Sequence, residues 1–161
     1  MSVNVDSRTV PPGSDEHVEE AWELKETIRE REDVLKQRWD FFADAYSRST
    51  VHCTFHDGDR EALVGFAAVR RDGYILFLAV DPSCRGDGIG KRLIAEVARD
   101  HRSVTCHART TNENALQFYE HLGFEITRRI DNYYEDGGDA YYLKLGSEAG
   151  LTDRLSELIR R

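Results

Sequence analysis

The sequence has 161 residues, of which 40% are hydrophobic, and its 30 acidic residues against 22 basic ones give a formal net charge of −8. This length suits one domain with one hydrophobic core, and the acidic surplus argues against broad nucleic-acid binding, which needs a basic face. The first ten residues lack a secretory pattern and no apolar stretch approaches a membrane span, so we expect a cytoplasmic protein that does not contact membranes.

The N-terminal part is predicted to contain one strand and two helices. Val3–Val10 alternates weakly between apolar and polar residues, as an edge strand would, and we assign residues 1–14 to an N-terminal strand or flexible segment. From Glu16 to about Tyr46, apolar residues recur at a spacing of three to four, which is typical of a helix. The charged run Arg29–Asp33 is expected to divide this helical region into two.

An antiparallel meander is predicted next. Its three strand-like segments are Thr50–His56, Ala62–Arg70 and Tyr74–Val80. Two turn signals, Asp57-Gly58-Asp59 and Arg71-Asp72-Gly73, separate these segments. Short connections of this kind favour neighbouring antiparallel strands.

The second half of the chain alternates strands and helices. The predicted elements are a helix at Gly88–His101, a strand at Val104–Arg109, a helix at Asn114–Leu122, strands at Phe124–Ile130 and Ala140–Leu145, and a C-terminal helix at Leu151–Ile159. A meander followed by β-α-β-α-β-β predicts an α/β protein of the α+β type, with a mixed sheet covered by helices. We assign residues 15–146 to this domain and residues 147–161 to the C-terminal helix.

The segment between Val80 and Arg92 has the composition of a phosphate-binding loop. A strand ends at Val80, a glycine-rich turn follows, and a helix begins near Gly88. The first amides of a helix have no partner within it and carry the positive end of its dipole. Gly86, Gly88 and Gly90 remove Cβ atoms that would keep an anion at a distance. The pattern therefore predicts a cradle for a phosphate group.

Other phosphate-binding motifs fit this loop less well. A Walker loop requires Gly where Arg85 stands and Ser or Thr where Arg92 stands. The dinucleotide fingerprint requires its third Gly where Lys91 stands. The remaining alternative is an ordinary turn before an ordinary helix, which does not need three alternating glycines.

Two motifs, in this order and at this spacing, resemble those of the GNAT superfamily of N-acetyltransferases. The motif that binds the pyrophosphate of acetyl-CoA is similar to Arg85-x-x-Gly88-x-Gly90 with its Val-Asp-Pro lead-in. The second family motif resembles Asn112-x-x-Ala115-x-x-x-Tyr119-Glu120-x-x-Gly123-Phe124. The resemblance covers about Thr50 to Leu145. It implies the GNAT acyl-CoA N-acyltransferase fold, with acetyl-CoA as the co-substrate.

The resemblance also implies which residues bind acetyl-CoA. In the family, backbone groups of the last meander strand bind the pantetheine arm and the acetyl carbonyl, and the corresponding residues are Leu78, Ala79 and Val80. The Val80 amide would stabilise charge on the carbonyl oxygen, an effect on the order of 3 kcal/mol. The pyrophosphate would be held by Arg85, Gly86, Asp87, Gly88, Ile89, Gly90 and Lys91. Asn112 would meet the pantetheine, and Phe118 would pack near the cofactor or serve only as a core residue.

An acid and a base follow from the same resemblance. Tyr119 matches the family's proton donor for the departing thiolate, and a phenol with a pKa of about 10 can protonate the conjugate base of a thiol with a pKa of about 8.5. N-terminal acetyltransferases of the bacterial ribosomal-protein type carry a Glu base at the position of His107. His107 resembles instead the His of a eukaryotic N-terminal acetyltransferase. That His acts through water together with a Tyr, and the corresponding residue here is Tyr74. Each of these residues could instead have a purely structural role.

The acceptor is expected to be an amine. Protein N-terminal acetyltransferases carry a loop that resembles Asn132–Ala140, in which two tyrosines bind the substrate peptide, and Tyr133 and Tyr134 are the corresponding pair. The loop between the first two helices, expected at Arg29–Asp33, is charged and lacks proline, which departs from that group. The expected partner is therefore a peptide N-terminus or, alternatively, a small amine or a lysine side chain. A regulatory domain that only senses acetyl-CoA is the third alternative.

The cysteines do not indicate a metal site or a disulfide framework. Cys53, Cys84 and Cys106 are odd in number and form no CxxC pair. We therefore expect no metal cofactor. The oligomeric state stays open between a monomer and a homodimer, because the apolar face of Leu151–Ile159 could pack on the domain or on a partner subunit.

Overall fold

The computed structural model describes residues 5–56 and 62–146. The helices are α1 Val18–Glu32, α2 Trp39–Arg48, α3 Ile89–Arg99 and α4 Glu113–Leu122. The strands are β1 Val5–Val10, β2 Thr50–His56, β3 Ala62–Val69, β4 Ile75–Val80, β5 Val104–Arg109, β6 Glu125–Ile130 and β7 Ala140–Leu145. The order of elements predicted over these ranges is confirmed, and the predicted helix at Leu151–Ile159 lies outside the described residues.

The strands form two antiparallel sheets. One sheet has the order β1-β2-β3-β4 and the other has the order β5-β7-β6. The α+β fold class is confirmed, but the single mixed sheet that we expected is divided, because β4 and β5 meet through one parallel bridge between Tyr74 and Thr105. The β3–β4 register shifts between Ala68 and Val69, and such irregularities increase strand twist. Among the described residues, β4 and β5 therefore separate beyond Tyr74.

The helices cover the two faces of the four-stranded sheet. On one face, α1 and α2 bury Ala21, Ile28, Phe42 and Tyr46 against β2, β3 and β4. On the other face, α3 buries Leu93, Ile94 and Val97, and α4 adds Leu122 to the same cluster. The amphipathic spacing of these apolar residues explains why the segments form helices that pack on a sheet.

The break between α1 and α2 lies later than we predicted. The charged run Arg29–Asp33 belongs to α1 as far as Glu32, and the connecting loop is Asp33–Arg38. The run is compatible with a helix because Glu30 and Arg31 are exposed and Arg29 pairs with Glu26 one turn earlier. The helix ends at Asp33, which has a φ of 58° and donates its backbone N–H to the Arg29 carbonyl.

Gly73 holds the junction of the two sheets. Its φ is +87°, its carbonyl accepts a hydrogen bond from the Thr105 N–H at 3.1 Å, and an added Cβ would lie 2.4 Å from the Ser103 carbonyl oxygen. We expect Gly73→Ala to lower the free energy of unfolding by about 2–4 kcal/mol, because the change adds left-handed strain and displaces backbone.

Gly13 offers a matched control for this prediction. It has a φ of +92° and no atom within 4 Å of an added Cβ. Gly13→Ala should therefore cost only about 1 kcal/mol of left-handed strain. Urea unfolding of both variants measures the difference, and equal losses would contradict the close contact at the junction.

Candidate active site

A cavity of about 710 Å³ lies where β4 and β5 separate. The α1–α2 loop, β4, the loop before α3, β5, the start of α4 and the β6–β7 loop all contribute to its wall. Of the residues predicted for the site, the following line it: Tyr74, Leu78, Val80, Arg85, Gly86, Gly88, Ile89, Gly90, Lys91, His107, Asn112, Phe118, Tyr119, Tyr133 and Tyr134. Ala79 and Asp87 do not line it.

The backbone of β4 explains why Leu78 and Val80 face the cavity while Ala79 does not. The Asp81 N–H donates to the Val64 carbonyl at 2.8 Å, and Gly65 and Phe66 oppose Val80 and Ala79. Antiparallel strands exchange hydrogen bonds at every second residue pair. Ala79 therefore bonds to β3, whereas the N–H and C=O groups of Leu78 and Val80 point toward the gap before β5.

The loop before α3 has the geometry of an anion cradle. Gly86 and Gly88 have φ values of 92° and 83°, a conformation that favours glycine, and nothing lies within 4 Å of an added Cβ at either residue. Gly88 is the N-cap of α3, and no acidic side chain occupies the first turn of this helix. The first α3 amides therefore keep the positive end of the helix dipole available to an anion.

Gly90 has a second role in the structure beside the one that its spacing predicts. An added Cβ would lie 2.9 Å from two atoms of the Phe118 ring. The glycine thus lets the first turn of α3 approach α4 and sets one wall of the cavity. Phe118 both lines the cavity and packs against the buried cluster.

Arg85 and Asn112 each have a partner within the protein. The Arg85 guanidinium makes two contacts of 2.7 Å with the Glu32 carboxylate at the end of α1. Asn112 caps α4, because its Oδ1 accepts the Ala115 N–H at 3.2 Å. Both residues border the cavity, so an anionic ligand near Arg85 would compete with Glu32.

Tyr119 is buried at the base of the cavity, with 7% of its surface exposed. Burial raises its pKa well above the usual value, and the neighbouring Cys106 thiol acts in the same direction. Its ring lies 5.2 Å from that of Phe118 and 5.0 Å from that of Phe124. The hydroxyl therefore keeps its proton at neutral pH and can donate it to a nearby anion.

His107 lies between two tyrosines. Its Nδ1 is 2.6 Å from the Tyr74 Oη, and its ring stacks on Tyr133 with a centroid separation of 4.2 Å and an angle of 13°. Burial lowers the pKa of His107, and the positive charge of Arg128 lowers it further. Burial raises the pKa of Tyr74, so a protonated phenol lies beside a neutral imidazole.

The second tyrosine of the β6–β7 loop lies beside this group. The Tyr134 ring is perpendicular to that of Tyr133 at a centroid distance of 5.0 Å, and burial raises the pKa of Tyr134 to about 12.

The cavity contains both a buried phenol, Tyr119, and a neutral imidazole, His107. Such a pair of groups with opposite protonation tendencies can serve as an acid and a base.

Sequence reasoning missed the residues that the α1–α2 loop brings to the cavity. Val34, Leu35, Lys36 and Gln37 all line it. Leu35 has a φ of 54°, a strained conformation of the kind that concentrates at functional sites. The Gln37 Oε1 is buried and has no hydrogen-bond partner in the described part of the chain. The apolar pair Val34-Leu35, directly after the charged run, was the signal available in the sequence.

Two other features concern metals and membranes. Within residues 5–56 and 62–146, the His, Cys, Asp and Glu side chains form no group of three that could hold a metal ion. None of the helices α1 to α4 combines the length and the hydropathy that crossing a bilayer requires.

Residues 48–126 match the family described as "Acetyltransferase (GNAT) domain". Human N-alpha-acetyltransferase 30 is 44% identical over 80 residues, which make up 47% of this chain and 22% of the human protein. This chain thus matches less than a quarter of that relative's length.

Two solved structures illustrate the similarity of fold. The ribosomal-protein-S18-alanine N-acetyltransferase from Escherichia coli has a TM-score of 0.71 at 21% identity, covering 91% of this chain and 97% of that chain. Arabidopsis thaliana Naa50, in complex with the bisubstrate analogue CoA-Ac-MVNAL, has a TM-score of 0.65 at 26% identity, covering 89% of this chain and 98% of that chain. By the match over residues 48–126, this chain contains a GNAT acetyltransferase domain.

Proposed function

We propose that the chain transfers an acetyl group from acetyl-CoA to the α-amino group of a protein or peptide. The observation that carries this proposal is the grouping, in one cavity, of free β4 backbone groups, a glycine loop, the buried Tyr119 and the Tyr74–His107 pair. Each of these features serves one requirement of acyl transfer.

The donor end uses mainly backbone groups. Acetyl-CoA supplies a thioester whose carbonyl carbon an amine can attack, with loss of the thiolate. The amides between Gly86 and Lys91 hold the pyrophosphate, since the first turn of α3 contains no acidic side chain that would bind or repel it there. Leu78 and Val80 bind the pantetheine arm and the acetyl group with the main-chain N–H and C=O groups that are not hydrogen-bonded to β3. The Val80 N–H stabilises the charge that develops on the carbonyl oxygen.

Two proton transfers accompany the bond changes. The attacking amine must lose a proton, and the Tyr74–His107 pair takes it because the buried imidazole is neutral at pH 7. The departing thiolate must gain a proton, and Tyr119 donates it because burial keeps the phenol protonated. The nitrogen–carbon bond forms as the carbon–sulfur bond breaks. The imidazole then carries one extra proton and Tyr119 lacks one, and exchange of that proton through solvent restores both groups.

An α-amino group suits this base better than a lysine side chain. The ordinary pKa values are about 7.7–8.0 for an α-amino group and about 10.4 for lysine. A neutral imidazole with a lowered pKa is a weak base, so it deprotonates the more acidic α-ammonium far more efficiently than the lysine ammonium. Two similarities support the same choice: the relative named N-alpha-acetyltransferase 30 and the Naa50 complex with a CoA-peptide analogue.

Free-CoA detection with three matched acceptors tests the proposal. The acceptors are a peptide with a free N-terminus and no lysine, its N-acetylated counterpart with one internal lysine, and a small polyamine. We expect CoA release only with the first, and mass spectrometry should find the acetyl group on the α-nitrogen. Release only with the blocked peptide or the polyamine would contradict the α-amino assignment, and acetyl-CoA binding without any release would indicate a sensing domain.

A further inference from the structure

An ion pair crosses from one rim of the cavity to the other. Lys36, in the α1–α2 loop, has its Nζ 2.9 Å from the Oδ2 of Asp136, in the β6–β7 loop, although 100 residues separate them in the chain. We call this contact the Lys36–Asp136 bridge. Lys36 also contacts Asp33 of its own loop at 2.9 Å, but that pair does not reach the opposite rim.

Asp136 is fixed from its other side as well. Its Oδ1 lies 3.1 Å from the Arg109 Nη1 and accepts the Gly138 N–H at 3.0 Å. Lys36 first, and then Arg109, hold the pKa of the Asp136 carboxyl well below its usual range. The Arg109 guanidinium in turn lies 4.0 Å from the centroid of the Tyr134 ring. The bridge is therefore connected through Arg109 to a tyrosine that lines the cavity.

The bridge joins the two halves of the fold through their loops. The α1–α2 loop connects two helices that pack on the four-stranded sheet, whereas Asp136 lies in the loop between two strands of the three-stranded sheet. Within residues 5–56 and 62–146, the strands of the two sheets pair at the Tyr74–Thr105 bridge, and their buried faces share one apolar cluster. The Lys36–Asp136 bridge adds a link at the opening of the gap, and its two loops bring Leu35 and Tyr133 to the same cavity.

We propose that the Lys36–Asp136 bridge positions the acceptor rim and favours an α-amine at the end of a chain over the ε-amine of a lysine within a peptide. The inference rests on the proposed function and adds specificity-determining residues to it. A rim held in place before binding lowers the entropy cost of ordering the acceptor and the tyrosines around it. A rim held in this way also admits the end of a chain more easily than a side chain with peptide on both sides of it.

Isosteric variants test the bridge without large changes in volume. Lys36→Met and Asp136→Asn each remove one charge, and Asp33→Asn is the matched control because it removes the other 2.9 Å contact of Lys36, which stays within one loop. The measurements are kcat and KM for the free peptide, the rate with the blocked lysine peptide, and the acetyl-CoA Kd.

The expected result is a change in acceptor binding alone. Each bridge variant should raise the peptide KM about 1.5- to fivefold, the range for an exposed ion pair, with kcat and the acetyl-CoA Kd unchanged. The preference for the α-amine over the lysine ε-amine should fall by a similar factor. The double variant should be no worse than either single variant, Lys36→Arg should restore the wild-type KM, and Asp33→Asn should leave it unchanged.

Hydrogen exchange separates a failure of the bridge from a failure of the proposed function. Removing either partner should speed amide exchange in both loops, residues 33–38 and 131–139, because the ion pair restrains the motion of both loops. Faster exchange only in the substituted loop, or an equal KM effect of Asp33→Asn, would overturn the bridge. If both loops respond but the wild type prefers blocked lysine peptides, the contact exists, while the α-amino function and the selection we infer are both wrong.

Discussion

Tyr119→Phe should lower kcat by about 10²–10⁴-fold, the usual contribution of a positioned general acid. The ring stays buried between Phe118 and Phe124, so the cavity keeps its shape and only the hydroxyl is lost. The acetyl-CoA Kd should remain within about twofold, because the cradle and the β4 backbone groups are unchanged. Steady-state kinetics and calorimetry measure the two effects separately.

Tyr46 provides the control for this substitution. Tyr46 is fully buried, its hydroxyl donates to the Glu16 carbonyl, and it does not line the cavity. Tyr46→Phe should reduce stability by about 0.5–1.5 kcal/mol and leave kcat unaltered. Wild-type turnover in Tyr119→Phe would remove the proton-donor assignment, and an equal loss in both variants would attribute the effect to packing.

His107→Ala should lower kcat by about 10²-fold or more and flatten the acidic limb of the pH–rate profile. In the wild type, activity should rise with pH as the imidazole loses its proton. The midpoint should lie below the ordinary value of 6.5, because burial and Arg128 both disfavour the protonated form. The profile of kcat/KM between about pH 5 and 9 measures this limb.

Arg128 gives a second test of the same assignment. It is the charged neighbour that lowers the pKa of His107, and its guanidinium lies over the Tyr142 ring at 5.2 Å. Arg128→Gln should move the midpoint of the acidic limb to higher pH and leave the plateau rate unchanged. An unmoved midpoint in Arg128→Gln, together with an intact limb in His107→Ala, would assign the base to another group.

Local signals were sufficient to predict most elements. The predicted bounds of Thr50–His56, Val104–Arg109 and Ala140–Leu145 are confirmed, because turn residues border these apolar segments. The break between α1 and α2 was misplaced, since Asp33 and Leu35 adopt positive φ values without being glycine. From the sequence, a charged run at the end of a helix cannot be distinguished from a charged loop.

Contacts between distant parts of the chain could not be predicted from the sequence. Gly90 lies against the Phe118 ring, and Lys36 pairs with Asp136. No local pattern in the sequence indicates either contact. The β3–β4 register near Ala68 is irregular, and the sequence of a single strand does not specify its register with a neighbour. The motif-based residues were easier to find because their spacing is set within a few residues of one another.

Leu78 and Val80 present main-chain groups to the cavity two residues apart, a repeat of about 6.6 Å along a strand. This wall is a template for a ligand shaped like a β-strand. Competitive inhibitors should therefore be slender amides whose N–H and C=O groups recur at that interval, in preference to flat aromatic scaffolds. A ligand of this shape would also connect the two sheets, so the melting temperature should rise with ligand occupancy.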